Sequence, residues 1–153
     1  MSELLPYKRG RFGTRLPTDR LYTRSHYWLQ QIAPGTYRIG FTKFAIRMLG
    51  DMVEFQFEAK SPVAVGTKIG WIEGFKAVSD IFSVAHGTFL EANPDLKQDI
   101  TLLESDPYHR GWFYSMNGTP DPDAFDVHGY VGILDATIDK MLANRHDGEG
   151  DTE

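Results

Sequence analysis

Short stretches of alternating apolar and polar residues, separated by glycine and proline, dominate the chain. Residues 52–58 are the clearest example, because Val53, Phe55 and Phe57 face one way and polar side chains face the other, as in a half-buried strand. Further strands are predicted over residues 25–30, 36–41, 68–75, 81–82, 87–92 and 111–116. Many short strands joined by glycine and proline turns, with few helices, predict a mainly β fold built as a small barrel or sandwich.

A few segments carry helical patterning instead. Thr42 is suited to cap the N-terminus of a short helix that ends with Gly50 at its C-terminus, and another helix is predicted around residues 96–103. Near the C-terminus, apolar residues recur at the spacing of an amphipathic helix. They are Tyr130, Leu134, Ile138, Met141 and Leu142. The acidic residues that follow, 144–153, are expected to form a disordered tail.

Charge is distributed unevenly along the sequence. Residues 1–24 hold six lysines and arginines against two acids, whereas the rest of the chain holds ten against nineteen. We predict that residues 1–24 form an irregular, basic N-terminal arm that lies on the acidic remainder of the chain. The overall net charge of −5 argues against nonspecific nucleic-acid binding, which depends on neutralising phosphates.

Composition excludes several classes of protein. A length of 153 residues predicts one domain with a core of its own. Cysteine is absent, which excludes disulfides, a thiolate nucleophile and a cysteine zinc site. The five histidines show no metal-binding spacing, and no catalytic motif is present, so we expect no metal site and no catalytic residue. With no apolar run long enough for a membrane helix or export signal, we expect a cytoplasmic protein without membrane insertion.

The segment around Lys76 is the main candidate for chemistry. Lys76 lies between two short apolar strands, so a tight turn would present its amine at the tip of a hairpin. Most turn lysines are simply solvated. Here, however, the turn lacks the usual Asn-Gly or Asp-Gly and keeps Phe75 and Ala77 beside the amine. An exposed lysine at a rigid tip is what a carrier protein needs to hold a covalently attached arm.

Several motifs, occurring in order over residues 20–118, resemble the glycine cleavage system H protein family. The stretch from Glu73 to Asp80, EGFKAVSD, resembles the family's lipoylation site, E-S-V-K-A-x-S-D. Residues 26–28, HYW, resemble H-E-W, and residues 49–53, LGDMV, resemble L-G-D-I-V. The downstream residues that fall at the family's spacing are Gly87, Asn93, Leu96, Asp106-Pro107-Tyr108 and Gly111-Trp112.

This resemblance implies a hybrid barrel-sandwich fold with short helices and with lipoate attached to Lys76 on a β-hairpin. It also implies that Glu73 and Gly87 help a lipoate-protein ligase or lipoyl transferase to recognise the site. A biotin carrier would have methionine on both sides of the lysine, which Phe75 and Ala77 exclude. The expected organisation is a basic arm over 1–24, a lipoyl-carrier domain over 25–118, a helical extension over 119–143 and a tail over 144–153.

The chain also departs from the family's pattern. Gly74 and Phe75 replace the family's Ser and Val, and Tyr27 replaces the Glu of H-E-W. In the family, that Glu and the acid matching Asp80 line a cleft where the loaded arm rests, and two carboxylates suit a cationic aminomethyl cargo. With Tyr27 in place of one carboxylate, the cleft is expected to suit a cargo that is not cationic.

These departures resemble a divergent branch of the family, the lipoate-binding proteins of heterodisulfide-reductase-like sulfur oxidation. The preferred interpretation is therefore a non-catalytic carrier whose Lys76 arm carries sulfur intermediates to a heterodisulfide-reductase-like complex. The alternative is an H protein that serves glycine decarboxylase, aminomethyltransferase and dihydrolipoyl dehydrogenase. An interaction module that kept the fold and lost the modification is a further alternative, which Gly74 and Phe75 favour.

Overall fold

A computed structural model describes residues 3–58 and 62–151 of the chain. Within these ranges the strands are β1 (Leu4–Arg9), β2 (Phe12–Pro17), β3 (Leu21–Tyr22), β4 (Tyr27–Ala33), β5 (Thr36–Phe41), β6 (Met52–Phe57), β7 (Lys68–Gly74), β8 (Val78–Phe82), β9 (Ala85–Ala92) and β10 (Tyr114–Pro120). The helices are α1 (Lys43–Leu49), α2 (Asp95–Gln98), α3 (Leu102–Ser105) and α4 (Val127–Asp151). The predicted mainly β fold with short helices and a C-terminal helix is confirmed.

The described strands form three sheets, ordered β1-β2, β3-β4-β5-β10-β9 and β6-β7-β8, and their pairings are antiparallel. The main core contains inward side chains of the five-stranded and three-stranded sheets. Ile39 of the larger sheet and Ile72 and Ile81 of the smaller one are fully buried there. This core anchors both strands of the β7–β8 hairpin, whose tip carries Lys76.

Helix α1 has the ends that its sequence predicts. The hydroxyl of Thr42 accepts a hydrogen bond from Ala45 N at 3.4 Å, as an N-cap does. Gly50 has a φ of +81°, which favours glycine, and its N–H donates to Ile46 O at 3.1 Å. The chain therefore turns sharply from α1 into β6, close to the β7–β8 hairpin.

The N-terminal arm is not irregular, which corrects the prediction for residues 1–24. Strands β1 and β2 form a hairpin, and Leu16 and Tyr22 join a second apolar cluster with α4. The arm does lie on an acidic surface, as predicted, because Arg9 forms ion pairs with Asp135 at 3.1 Å and Asp139 at 2.8 Å. Glycines and charges interrupt the alternation in this segment, so its strands gave little sequence signal.

The C-terminal helix also differs from its prediction. Tyr130, Leu134 and Ile138 are buried, but Met141 and Leu142 are about two-fifths exposed, so the packed face is shorter than the pattern indicated. Helix α4 continues to Asp151, whereas a disordered tail was predicted from residue 144. The rest of that predicted tail, residues 152–153, lies outside the described residues.

Two smaller predictions need adjustment. The helix predicted over 96–103 is two short helices, α2 and α3. In β6, a bulge between Met52 and Glu54 leaves Val53 51% exposed rather than facing the core with Phe55. Among the described residues, no helix is long and apolar enough to cross a membrane.

Candidate functional site

Lys76 lies at the tip of the β7–β8 hairpin, where the sequence placed it. Glu73 and Val78 are the last paired residues of the two strands, and Gly74 N donates to Ala77 O at 2.8 Å, which closes the turn. Lys76 is exposed, and the neighbouring Phe75 is 85% exposed. An amine in this position is open to an enzyme that modifies it.

The hairpin tip is held in place by the loop between α1 and β6. Phe75 N donates to Asp51 O at 2.7 Å, and Lys76 N donates to Leu49 O at 2.9 Å. These bonds fix the backbone on which the amine is carried. The loop approaches so closely that a Cβ on Gly50 would lie 3.0 Å from Lys76 N.

Gly74, one of the departures from the family pattern, is explained by this contact. A Cβ at residue 74 would lie 2.1 Å from Leu49 O and 2.6 Å from Leu49 C, far inside van der Waals contact. Both neighbours are backbone atoms, which cannot rotate away as a side chain can. Glycine therefore lets the hairpin dock against the end of α1 in this chain.

A cavity of about 290 Å³ opens beside Lys76 on the α1 side of the hairpin. It is lined by Lys43, Ile46, Arg47, Gly50, Asp51, Phe75, Lys76 and Glu104. Glu104 is oriented by its neighbour, because its Oε2 accepts a hydrogen bond from Met52 N at 3.2 Å. The cavity thus combines apolar walls with charges of both signs. Sequence reasoning missed it, because its lining comes from three separate segments of the chain.

Tyr27 and Asp80 have different surroundings. The Tyr27 ring is only 2% exposed and packs on Phe41 with ring centroids 4.7 Å apart. Its hydroxyl accepts a hydrogen bond from Phe82 N at 2.9 Å, and burial raises the pKa of Tyr27 to about 12. Asp80 is exposed and pairs with Lys68 Nζ at 3.2 Å. Tyr27 was predicted to line the cleft where the arm rests, but in this structure it presents no exposed group to an arm.

Glu73 and Gly87 were predicted to serve recognition. The half-buried Glu73 lies directly opposite Glu54 on β6, and like charges in this position oppose sheet pairing. Gly87 has a φ of +150°, and its N–H and carbonyl both bond to Val63, at 2.9 and 2.8 Å. A Cβ there would lie 2.0 Å from Asn117 O, so this glycine is needed for strand packing whatever else it does.

A buried polar chain connects α4 to α1, and the sequence alone did not reveal it. His26 Nδ1 lies 2.8 Å from the Tyr130 hydroxyl, which lies 2.8 Å from Thr42 Oγ1, the cap of α1. Burial lowers the pKa of His26 to about 4, so the imidazole is neutral at pH 7. The C-terminal helix thereby supports the helix that holds the hairpin tip. No cluster of three potential metal ligands occurs among the described residues.

A mainly β domain that presents one lysine at a braced hairpin tip is typical of a carrier with a covalently attached arm. The model of the family described as glycine cleavage H-protein matches residues 20–126. A glycine cleavage system H protein from Mycobacteroides abscessus is 34% identical over 130 residues, covering 84% of this chain and 92% of the relative. One from Escherichia coli is 33% identical over 130 residues, covering 84% and 96%.

The solved structures agree with the sequence relatives. The crystal structure of a glycine cleavage system H protein from Mycobacterium marinum superimposes with a TM-score of 0.69 at 33% identity, covering 76% of this chain and 97% of that one. The chain belongs to the glycine cleavage H-protein family, whose members are non-catalytic carriers with lipoate covalently bound to a lysine. The family match begins at residue 20 and ends at residue 126, so β1, β2 and α4 lie outside it.

Proposed function

We propose that this protein is a lipoyl carrier whose arm is attached to Lys76. The observation that carries the proposal is the position of Lys76, exposed at a hairpin tip whose backbone is held by hydrogen bonds to residues 49 and 51. A flexible arm on a rigid tip reaches several partners, and tethering raises the effective concentration of its cargo at each one. A small protein without catalytic groups can sustain transfer between enzymes in this way.

The residues around Lys76 fit a lipoyl group. The exposed amine has room to accept an acyl chain, and the adjoining cavity of about 290 Å³ has both apolar and charged walls. When bound, lipoate supplies a dithiolane that accepts and releases groups and electrons. The chain's own residues hold its attachment point steady and keep it clear of the core.

A lipoate-protein ligase or lipoyl transferase is the first partner that this function requires. We expect Glu73 to be one of its contacts, since the carboxylate is three residues from Lys76 and faces Glu54 at an energetic cost to the sheet. A cost to stability near a modified residue is typical of a position kept for binding. We also expect Gly87 to contribute to this recognition, in addition to its close packing against Asn117 O.

The names of the relatives give the first candidate for the cargo and for the enzymes that exchange it. Relatives that are 33–36% identical to this chain are named glycine cleavage system H proteins. On that ground the first candidate cargo is the aminomethyl group, passed among glycine decarboxylase, aminomethyltransferase and dihydrolipoyl dehydrogenase. Of the two carboxylates that the family uses near a cationic cargo, this chain retains Asp80.

The burial of Tyr27 favours a second candidate, a sulfur-bearing cargo delivered to a heterodisulfide-reductase-like complex. Tyr27 is neutral and buried at the position where the family has a carboxylate, and its hydroxyl already accepts a hydrogen bond from Phe82 N. Losing one charge-assisted hydrogen bond to a cationic cargo costs about 1.5–3 kcal/mol. Such a change weakens binding of an aminomethylated arm and leaves a neutral or anionic cargo unaffected.

Glycine–bicarbonate exchange distinguishes these candidates. The lipoylated protein is added to purified glycine decarboxylase and compared with an authentic H protein at equal concentration. Exchange at a comparable rate supports the aminomethyl cargo and excludes the sulfur assignment. If exchange fails, and the reduced arm gains the mass of one or more sulfur atoms when it is offered thiosulfate, which transfers its sulfane sulfur to a thiol and leaves as sulfite, the sulfur cargo is supported.

A further inference from the structure

The lipoyl arm of Lys76 can leave the hairpin tip in two directions, and the two sides differ in what they present. On the β8 side, Tyr27 is buried with its hydroxyl bonded, and the exposed Asp80 is paired with Lys68 at 3.2 Å. On the α1 side lies the cavity of about 290 Å³, whose lining includes Lys76 itself. An arm attached to Lys76 therefore starts at the mouth of an open cavity.

The wall of this cavity is one continuous face of α1 and its C-terminal glycine. Lys43, Ile46, Arg47 and Gly50 are spaced i, i+3, i+4 and i+7, which places them on the same side of a helix. Phe75 forms the opposite wall and is 85% exposed, so its ring is free to cover an apolar ligand. The volume is near the lower end of the roughly 300–1,000 Å³ that small-molecule sites occupy.

Four charged residues line the cavity besides Lys76. Lys43 is exposed, so its alkyl stem can lie along the arm while its ammonium group stays in water. The guanidinium carbon of Arg47 lies 5.8 Å from the centroid of the Phe12 ring, which holds the charged end of this side chain away from the arm. Asp51 is held at the hairpin by its carbonyl, which accepts from Phe75 N at 2.7 Å, and Glu104 is held by Met52 N. Acylation removes the charge of Lys76, which leaves two cations and two carboxylates around the arm.

We propose that the cavity between α1 and the hairpin tip is the resting site of this protein's own lipoyl arm. The proposal rests on attachment of the arm at Lys76 and places the arm on the α1 side instead of beside Tyr27 and Asp80. Because the arm is tethered, its effective concentration at the cavity is of the order of millimolar, so modest contacts are enough to dock it. Docking shields the dithiolane until a partner draws the arm out.

Chemical-shift mapping by NMR tests the location directly. Spectra of the ¹⁵N-labelled protein are compared before and after lipoylation, which intact mass confirms to be complete. The unmodified Lys76→Gln variant shows which shifts come from loss of the lysine charge alone. We expect additional shifts at Ile46, Arg47 and Gly50. Additional shifts at residues 27 and 80 instead, or shifts confined to residues 75–77, would overturn the proposal.

The accessibility of the dithiolane gives a second test with matched variants. Phe75→Ser and Val78→Ser each remove an exposed apolar side chain beside the tip, but only Phe75 lines the cavity. We expect Phe75→Ser to raise the rate at which a water-soluble phosphine reduces the arm by about threefold, the effect of losing roughly 25–30 Å² of apolar contact. Val78→Ser should leave this rate unchanged. Equal rates in the three lipoylated proteins would contradict docking in the cavity, whereas failure to lipoylate the wild-type protein would contradict the attachment at Lys76.

Discussion

Gly74→Ser restores the residue of the family pattern, yet we expect it to destabilise this protein. The new Cβ would lie 2.1 Å from Leu49 O, so the hairpin tip must move away from the end of α1. That movement breaks the bonds from Phe75 N to Asp51 O and from Lys76 N to Leu49 O, which measure 2.7 and 2.9 Å. At about 0.5–1.5 kcal/mol for each hydrogen bond, the free energy of unfolding should fall by about 1–3 kcal/mol.

Urea denaturation measures the change in the free energy of unfolding of the whole protein, and amide hydrogen exchange measures the change at the hairpin tip. Protection of the amides of Phe75 and Lys76 should fall by roughly 5- to 150-fold, the equivalent of that free energy. Gly132→Ser is the matched control, because a Cβ there meets no atom within 4 Å and serine suits a helix better than glycine by about 0.5 kcal/mol. If Gly74→Ser matched the wild type in both measurements, the proposed bracing of the tip by α1 would be refuted.

Three further predictions concern residues near the tip and the buried polar chain. Glu73→Gln should slow lipoylation by the ligase. Its free energy of unfolding should be unchanged or higher by about 0.2–1 kcal/mol, because the repulsion between residue 73 and Glu54 is relieved. An unchanged rate of lipoylation would exclude a recognition role for Glu73. Tyr27→Glu should lower the free energy of unfolding, measured in urea, by about 2–4 kcal/mol, because it buries a carboxylate. Tyr27→Phe should lower it by less. A Tyr27→Glu variant as stable as the wild type would show that residue 27 is open to solvent. Stability should fall as the pH drops from 6.5 to 4, because the pKa of His26 is lowered to about 4 in the folded protein and the unfolded chain binds the proton first. At pH 4 the free energy of unfolding should be lower by about 3 kcal/mol than at pH 6.5. A His26→Asn variant whose stability depends on pH as the wild type's does would contradict this assignment to His26.

The sequence predicted the elements whose pattern is local. The strand at β6, the cap at Thr42 and the turn around Lys76 each depend on residues close together in the chain, and each was predicted, although a bulge in β6 turns Val53 outward. The β1–β2 hairpin was missed because its stabilising contacts come from α4, more than a hundred residues away. The pattern of apolar and polar residues within one segment does not show which distant segment packs against it.

The candidate site was predictable in part for the same reason. The proposed attachment point could be predicted, because the motif that resembles the family's lipoylation site consists of consecutive residues, 73–80. Two features required coordinates: the burial of Tyr27, with its hydroxyl bonded to Phe82 N, and the cavity formed by α1, Phe75 and Glu104. Gly74 looked like a loss of the family motif, whereas in the fold it permits the contact with Leu49 that holds the tip.

The most direct test of the central claim is the site of lipoylation itself. Wild-type protein, Lys76→Arg and Lys68→Arg are incubated with lipoate, ATP and a lipoate-protein ligase, and each is analysed by intact mass and peptide mapping. Lys68 belongs to the same hairpin and provides the matched control. We predict a single lipoyl adduct on Lys76 in the wild type and in Lys68→Arg, and none in Lys76→Arg. An unmodified wild type, or an adduct that persists in Lys76→Arg, would contradict the assignment of this protein as a lipoyl carrier through Lys76.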